Sequence, residues 1–343
     1  MTTVENARDR LGTPHRRIPV RYVPVLVTLS LVVAMFTAGS LHYPYFGTGQ
    51  VFLNLFVDNS FLLVAVVGMT FVILTGGIDL SVGSVVALST LLCAELAGHG
   101  WPAYAVFPVV LLVGATLGLA MGSIIHFFEI QPFIVTLAGM FLARGLCYAI
   151  TVDAISITDP SFTRIAGWSL ALPWELFLTM GAVVSLVVVA IGLYLLHLTS
   201  FGRTVYAIGG GEQSGLLMGL PVARTEVLVY TISGTCSALG GILLSFYMLS
   251  GSGSLAVGME LDAIAAVVIG GTMLTGGIGY LAGTVLGVLV LGLIQTLINF
   301  QGTLSSWWTK IVIGLLLLAF ILLQRLVFAR QEARGSTSAA RRL

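Results

Sequence analysis

Eleven polar side chains stand in or beside long apolar runs of this sequence: Asn54, Asp58, Asn59, Asp79, Glu95, Arg144, Glu260, Asp262, Gln295, Asn299 and Lys310. Ionisable groups are costly at membrane depth, so carboxylates, amides and isolated cations dispersed through such sequence suit the passage of a polar solute or ion. Each also has a structural alternative. Asp79 follows a glycine pair and opens an apolar run, which suits a helix N-cap that accepts orphan backbone N–H groups, and Asp262 is placed similarly. Glu260 and Lys310 fall near the ends of apolar runs, where long side chains reach water. Asp58 and Asn59 lie deeper in one run and Arg144 well inside another, so an Asp58 to Arg144 pair between helices is open to them.

Other chemistry is missing. The sequence has no phosphate-cradling loop of the G-x-x-x-x-G-K-S/T type, and its single lysine, Lys310, lacks the flanking glycines of one, so ATP hydrolysis by this chain is not expected. The histidines at 15, 42, 99, 126 and 197 have no metal-ligand spacing, and no G-x-S-x-G elbow is present. Cys93, Cys147 and Cys236 sit far apart inside apolar runs, as small core residues rather than a disulfide framework. Neither a bound cofactor nor a nucleic-acid partner is expected.

The elements that must position the polar groups follow from composition. With 57% hydrophobic and 8% charged residues and a mean hydropathy of +1.05, the 343 residues cannot form a water-soluble globule. About 20 apolar residues make one spanning helix, and the runs near 22–38, 51–74, 78–97, 104–127, 133–150, 174–198, 227–249, 261–274, 278–299 and 308–328 predict ten. The runs at 78–97 and 261–274 are short enough to be re-entrant instead. The chain therefore divides into a basic tail (1–21), a transmembrane domain (22–328) with a polar connection at 199–226, and a second tail (329–343). An even count places both termini on one side. The positive-inside rule makes that side cytoplasmic, because it gathers twelve of the fifteen cationic residues: Arg8, Arg10, Arg16, Arg17, Arg21, Arg203, Arg224, Arg325, Arg330, Arg334, Arg341 and Arg342. Residues 151–173 are then the longest external loop. Trp168, Trp174, Trp307 and Trp308 suit the lipid–water interface.

One signature occurs twice. Thr75-Gly76-Gly77-Ile78, followed by Asp79, Ser81 and Gly83, returns as Thr275-Gly276-Gly277-Ile278, followed by Gly283 and Thr284. Each copy interrupts an apolar run. Irregular backbone survives at bilayer depth only where it is buried in protein or lines a wet path, and interrupted helices at matching positions of two halves point to a transport path. Two tight hairpins are the plainer reading. Gly114, Gly118 and Gly122, and again Gly279, Gly283 and Gly287, form small-residue stripes for close helix packing. In the 199–226 connection, Gly209-Gly210-Gly211 feeds a short helix predicted over Glu212, Gln213, Ser214, Gly215, Leu216, Leu217 and Met218, stopped by Gly219 and Pro221. Its Leu216, Leu217 and Met218 would be exposed, which marks a docking surface.

The runs Val66 to Ser84, Tyr206 to Gly210 and Glu260 to Thr272 together resemble the permease subunits of ribose-type sugar ABC importers, in order, over about residues 50–328. The stretch Ile298 to Ile311 is similar, more narrowly, to one permease of the galactofuranose importer. The resemblance implies an all-α polytopic fold of the ribose and branched-chain amino acid permease type, in the bacterial inner membrane. It implies import of a monosaccharide with ATP used by a separate cytoplasmic ABC ATPase, a second permease subunit (identical or paralogous) and a periplasmic sugar-binding protein. It places the coupling helix on Ser214 to Leu220, with Ser214 and Gly215 where the family carries two alanines. The candidate path then comprises Asn54, Asp58, Asn59, Gly76, Gly77, Asp79, Ser81, Arg144, Asp262, Gly276, Gly277, Gln295 and Asn299. An ion-driven transporter or a channel for a small polar solute is the alternative, with Asp58 or Arg144 as coupling groups.

Overall fold

A computed structural model describes residues 23–303, 305 and 307–340, without the side chains of 324–340. The basic tail 1–21 and the last residues of the second tail lie outside the described residues. The chain runs α1 (Val23–His42), α2 (Gly49–Asp58), α3 (Ser60–Leu74), α4 (Val82–Gly98), α5 (Ala103–Phe127) and α6 (Pro132–Ile150). A short excursion follows: β1 (Ile155–Ser156), α7 (Pro160–Ala166), β2 (Ser169–Leu172) and β3 (Leu176–Thr179). Then come α8 (Met180–Leu198), α9 (Ser200–Gly210), α10 (Glu212–Leu217), α11 (Val222–Met248), β4 (Ser250–Gly251), α12 (Met259–Ile269), α13 (Leu281–Gln301) and α14 (Trp307–Ala340). It is an all-α polytopic membrane protein.

The centre is α3, whose residues are all buried except Phe61. Its sequence is apolar all round, which suits a helix enclosed by other helices. Around it pack α8, α11, α12 and α13. The small-residue stripes act as expected: the Gly234 backbone of α11 lies against Gly114 and Gly118 of α5, and Gly283 and Gly287 of α13 lie against Gly270 and the Ala266 carbonyl. Gly279 precedes α13 and packs on the Thr272 side chain instead.

Not all of the expected ten spans are found among the described residues. There, six helices are long and apolar enough to cross a membrane, α1, α5, α6, α8, α11 and α13, and α2 with α3 makes a seventh if one bent pair counts as a span. The run at 51–74 is not one straight helix. It bends by 58° at Asn59, whose amide donates to the Leu55 carbonyl at 2.9 Å and so competes with helix continuation. At 78–97 the helix starts only at Val82 and has 17 residues. At 261–274 it has 11 residues, about 16 Å at 1.5 Å per residue, against a hydrocarbon core of about 30 Å. It stops where Gly271 takes φ 94°. The run at 174–198 is also shortened, because Leu176–Thr179 pairs antiparallel with Ser169–Leu172. Trp174 and Glu175, both at positive φ, turn that hairpin.

Candidate translocation path and docking helix

The two copies of the glycine signature touch. The Gly277 amide donates to the Leu74 carbonyl at 2.9 Å, closing the C-terminal end of α3 onto the second break. Gly76, Gly276 and Gly277 have φ of 87°, 83° and 76°, a region that costs any other residue about 1–2 kcal/mol. At Gly77, Gly276 and Gly277 there is no room for a side chain either. A β-carbon on Gly276 would stand 2.8 Å from the Gly76 nitrogen, and one on Gly277 would stand 2.9 Å from the Gly209 carbonyl oxygen. At Gly77 it would meet the Tyr230 hydroxyl.

The third party to this junction is α9, which the sequence presents as loop. Its glycines disfavour helix intrinsically, yet Thr199 caps it by accepting from the Gly202 amide at 3.2 Å, and Gly202, Thr204, Val205 and Ile208 face the bundle. A β-carbon on Gly209 would fall on the Leu74 carbonyl and the Gly277 amide. Tyr206 donates its hydroxyl to the Gly279 carbonyl at 2.7 Å. So one short helix rests on both breaks at once, and α10 follows it after the single residue Gly211. In α10, Gly215 turns inward against Val222 and Leu220, so it sets spacing and is not itself a contact surface. Leu216, Leu217 and Met218 face outward, Leu217 with 90% of its surface exposed.

The polar candidates separate into groups. Asp79 is fully buried: one carboxylate oxygen accepts from the Ser81 amide at 2.9 Å and the Ser81 hydroxyl at 2.6 Å, the other from the Ser233 hydroxyl at 2.6 Å. It is neither the N-cap of α4 nor open to a solute, but a tie between the first break and α11. The Asp58 to Arg144 pair is not formed. Asp58 accepts from Tyr247 at 3.4 Å, while Arg144 donates to the carbonyls of Gly253 at 2.5 Å and Leu255 at 2.9 Å, pinning the loop ahead of α12. Asn54 accepts from Gln50 at 2.7 Å, away from both. Asp262 is not an N-cap either; its carboxylate receives Lys310 at 2.6 and 2.8 Å. Glu260 does not simply reach water, since its Oε2 is buried without a hydrogen bond among the described residues and lies against Gly83.

Four candidates do converge. Asn59, Asp262, Gln295 and Asn299 line one cavity of about 230 Å³ together with Lys310 and Thr309. It opens beside the start of α3, whereas the glycine junction lies at the end of that helix, 15 residues on, or about 22 Å. Gly209, Tyr230 and Thr309 are functional candidates that the sequence does not single out. Only the glycine run around Gly209 carried a signal, and it reads equally well as a loop.

A membrane-embedded helical bundle with two interrupted segments, a polar cavity at one end and an exposed apolar turn at the other has the form of a transport permease. Residues 51–321 match the family described as branched-chain amino acid transport system / permease component, and the chain belongs to that family. It is 44% identical over 94% of its length, and 97% of the relative's, to the inner membrane ABC transporter permease protein YjfF of Escherichia coli. It is 41% identical, over 96% of its length and 98% of the relative's, to the fructose import permease protein FruG of Bifidobacterium longum. To the ribose import permease protein RbsC of Escherichia coli it is 36% identical, over 87% and 91%. No solved structure matches the chain.

Proposed function

We propose that this chain is the membrane-spanning subunit of an ATP-driven importer that carries a monosaccharide into the cytoplasm. Its relatives support the substrate class, being named for fructose and ribose import, and also for L-arabinose transport. Galactofuranose is the finer reading, on the likeness of Ile298 to Ile311. The single observation that carries the mechanism is the seating of α9 on both glycine breaks, with the exposed Leu216-Leu217-Met218 turn directly after it.

In this reading a cytoplasmic ATPase subunit grips that turn as a helix is gripped in a groove. Its ATP-driven movement reaches both interrupted segments through Gly209 and Tyr206. A second permease subunit and a periplasmic sugar-binding protein complete the importer in the inner membrane, and both termini of this chain are cytoplasmic. ATP is bound and used by the partner alone. The ion-driven alternative has less support, because Asp58 and Arg144 do not pair and each meets a different partner. The test is purification of Leu217→Asp with its ATPase, alongside uptake of labelled ribose, fructose and arabinose. A normally inserted protein that has lost both the ATPase and uptake is expected; wild-type levels of both would refute the docking role.

A further inference from the structure

The cavity beside the start of α3 has a composition that selects its ligand. Its polar wall is Asn59, Asp262, Gln295, Asn299, Thr309 and Lys310, and its apolar wall is formed by leucine and isoleucine side chains. Two of the polar groups are already spent on each other: Lys310 donates to both oxygens of Asp262, so the cavity carries one negative and one positive charge that cancel. The others are not. The side chains of Gln295, Asn299 and Thr309 make no hydrogen bond among the described residues, and the Asn59 amide spends one donor on the Leu55 carbonyl and keeps its oxygen. An amide offers two donors and an acceptor, and a hydroxyl offers one of each kind. The cavity therefore presents a set of paired donors and acceptors beside an apolar wall, with no net charge to neutralise.

The geometry points to this cavity as the subsite that takes a neutral polyhydroxylated ring and turns away its anionic counterparts, an inference that rests on the importer reading above. Vicinal hydroxyls donate and accept in the same pattern as the amides, and the C–H face of a sugar ring has the apolar wall to lie against, the mixed lining expected of a small-molecule site. A carboxylated or phosphorylated sugar finds no free cation, since Lys310 is held by Asp262, and it meets the Asp262 carboxylate. Specificity of this kind comes from the repulsive element as much as the attractive one. Lys310 and Asp262 thus act together as a charge filter, while the amides and Thr309 supply affinity.

The experiment uses cells expressing the complete importer, with labelled D-ribose, D-fructose, L-arabinose and D-galactose as neutral probes and labelled D-gluconate as the anionic one. In the wild type, at least one neutral sugar accumulates and gluconate does not. Gln295→Leu and Asn299→Leu should each raise KM about three- to tenfold, the worth of one or two lost hydrogen bonds, with the maximal rate and ATPase co-purification retained. Asp262→Asn frees the Lys310 charge and should admit gluconate. The doubly exchanged variant Asp262→Lys with Lys310→Asp restores the balance and should exclude it again, which separates charge from folding. Unchanged KM in the amide variants together with gluconate still excluded by Asp262→Asn would overturn the subsite while leaving the importer reading intact. Failure of the wild type to accumulate any of the four neutral sugars would overturn both.

Discussion

The two ends of α3 are built on opposite principles. At its C-terminal end, Leu74 meets the second glycine break and Gly209 by backbone alone, with no space for a β-carbon and with the Leu74 carbonyl paired to the Gly277 amide. At its N-terminal end, side chains surround a cavity of about 230 Å³, and those of Gln295, Asn299 and Thr309 make no hydrogen bond among the described residues. The first arrangement transmits displacement, because close-packed backbone cannot absorb it. The second has the room and the polar groups that the proposed solute would need. Rigidity at one end and a polar cavity at the other suit a helix that reports between the proposed docking turn and the proposed solute site.

On that contrast, the largest effects of substitution belong to the junction. Gly277→Val combines a positive-φ penalty with overlap on Gly209, for a loss of about 3–5 kcal/mol, and Gly209→Val loses a similar amount through overlap alone. Both should lower the yield of monodisperse protein in mild detergent and its thermal midpoint, and normal behaviour of both would dissolve the distinction between the two ends. Next comes Leu217→Asp, which places an unpaired carboxylate in the proposed ATPase contact at a cost of about 2–5 kcal/mol of association. Because Leu217 touches nothing within the chain's interior, its thermal midpoint should stay at the wild-type value, so transmission is lost while the junction stands. At the cavity the effect on stability is smaller: Lys310→Met removes a partly exposed ion pair worth about 1 kcal/mol or less, visible as a minor drop in midpoint. A drop as large as that of Gly277→Val would mean that the cavity is part of the rigid core. Smallest is Gly98→Val, where a β-carbon meets nothing within 4 Å, with a change within about 0.5 kcal/mol.

The sequence revealed what hydropathy and spacing encode directly. The apolar runs, the twin Thr-Gly-Gly-Ile signatures, the small-residue stripe at Gly114 and Gly118, and the short helix at Glu212 all stand in the structure. What it concealed depends on contacts distant in sequence. Both sides of the bend at Asn59 are apolar, so a window average passes over it. The 11 residues of α12 are followed by further apolar residues, which extend the run without extending the helix. The β-hairpin before α8 is hydrophobic enough to read as the beginning of a span. Among the site residues, the convergence of Asn59, Asp262, Gln295 and Asn299 is a tertiary fact, and so is the diversion of Asp58 and Arg144 to separate partners. That α9 would be helical despite its glycines follows from what it rests on, not from its own propensity.

The hydrogen bond from Gly277 to Leu74 also sets a schedule. A chain is made N-terminus first, at about 5–20 residues per second, so with the two partners about two hundred positions apart the Leu74 carbonyl waits roughly 10–40 s for its donor to be synthesised. Until then the first copy of the signature is a helix end without its closure, and Gly209 emerges between the two with only half of its seat in place. The bundle is thus sealed late, from its far half backwards, and a nascent chain stopped between the two copies would present an open junction to the quality-control machinery of the membrane.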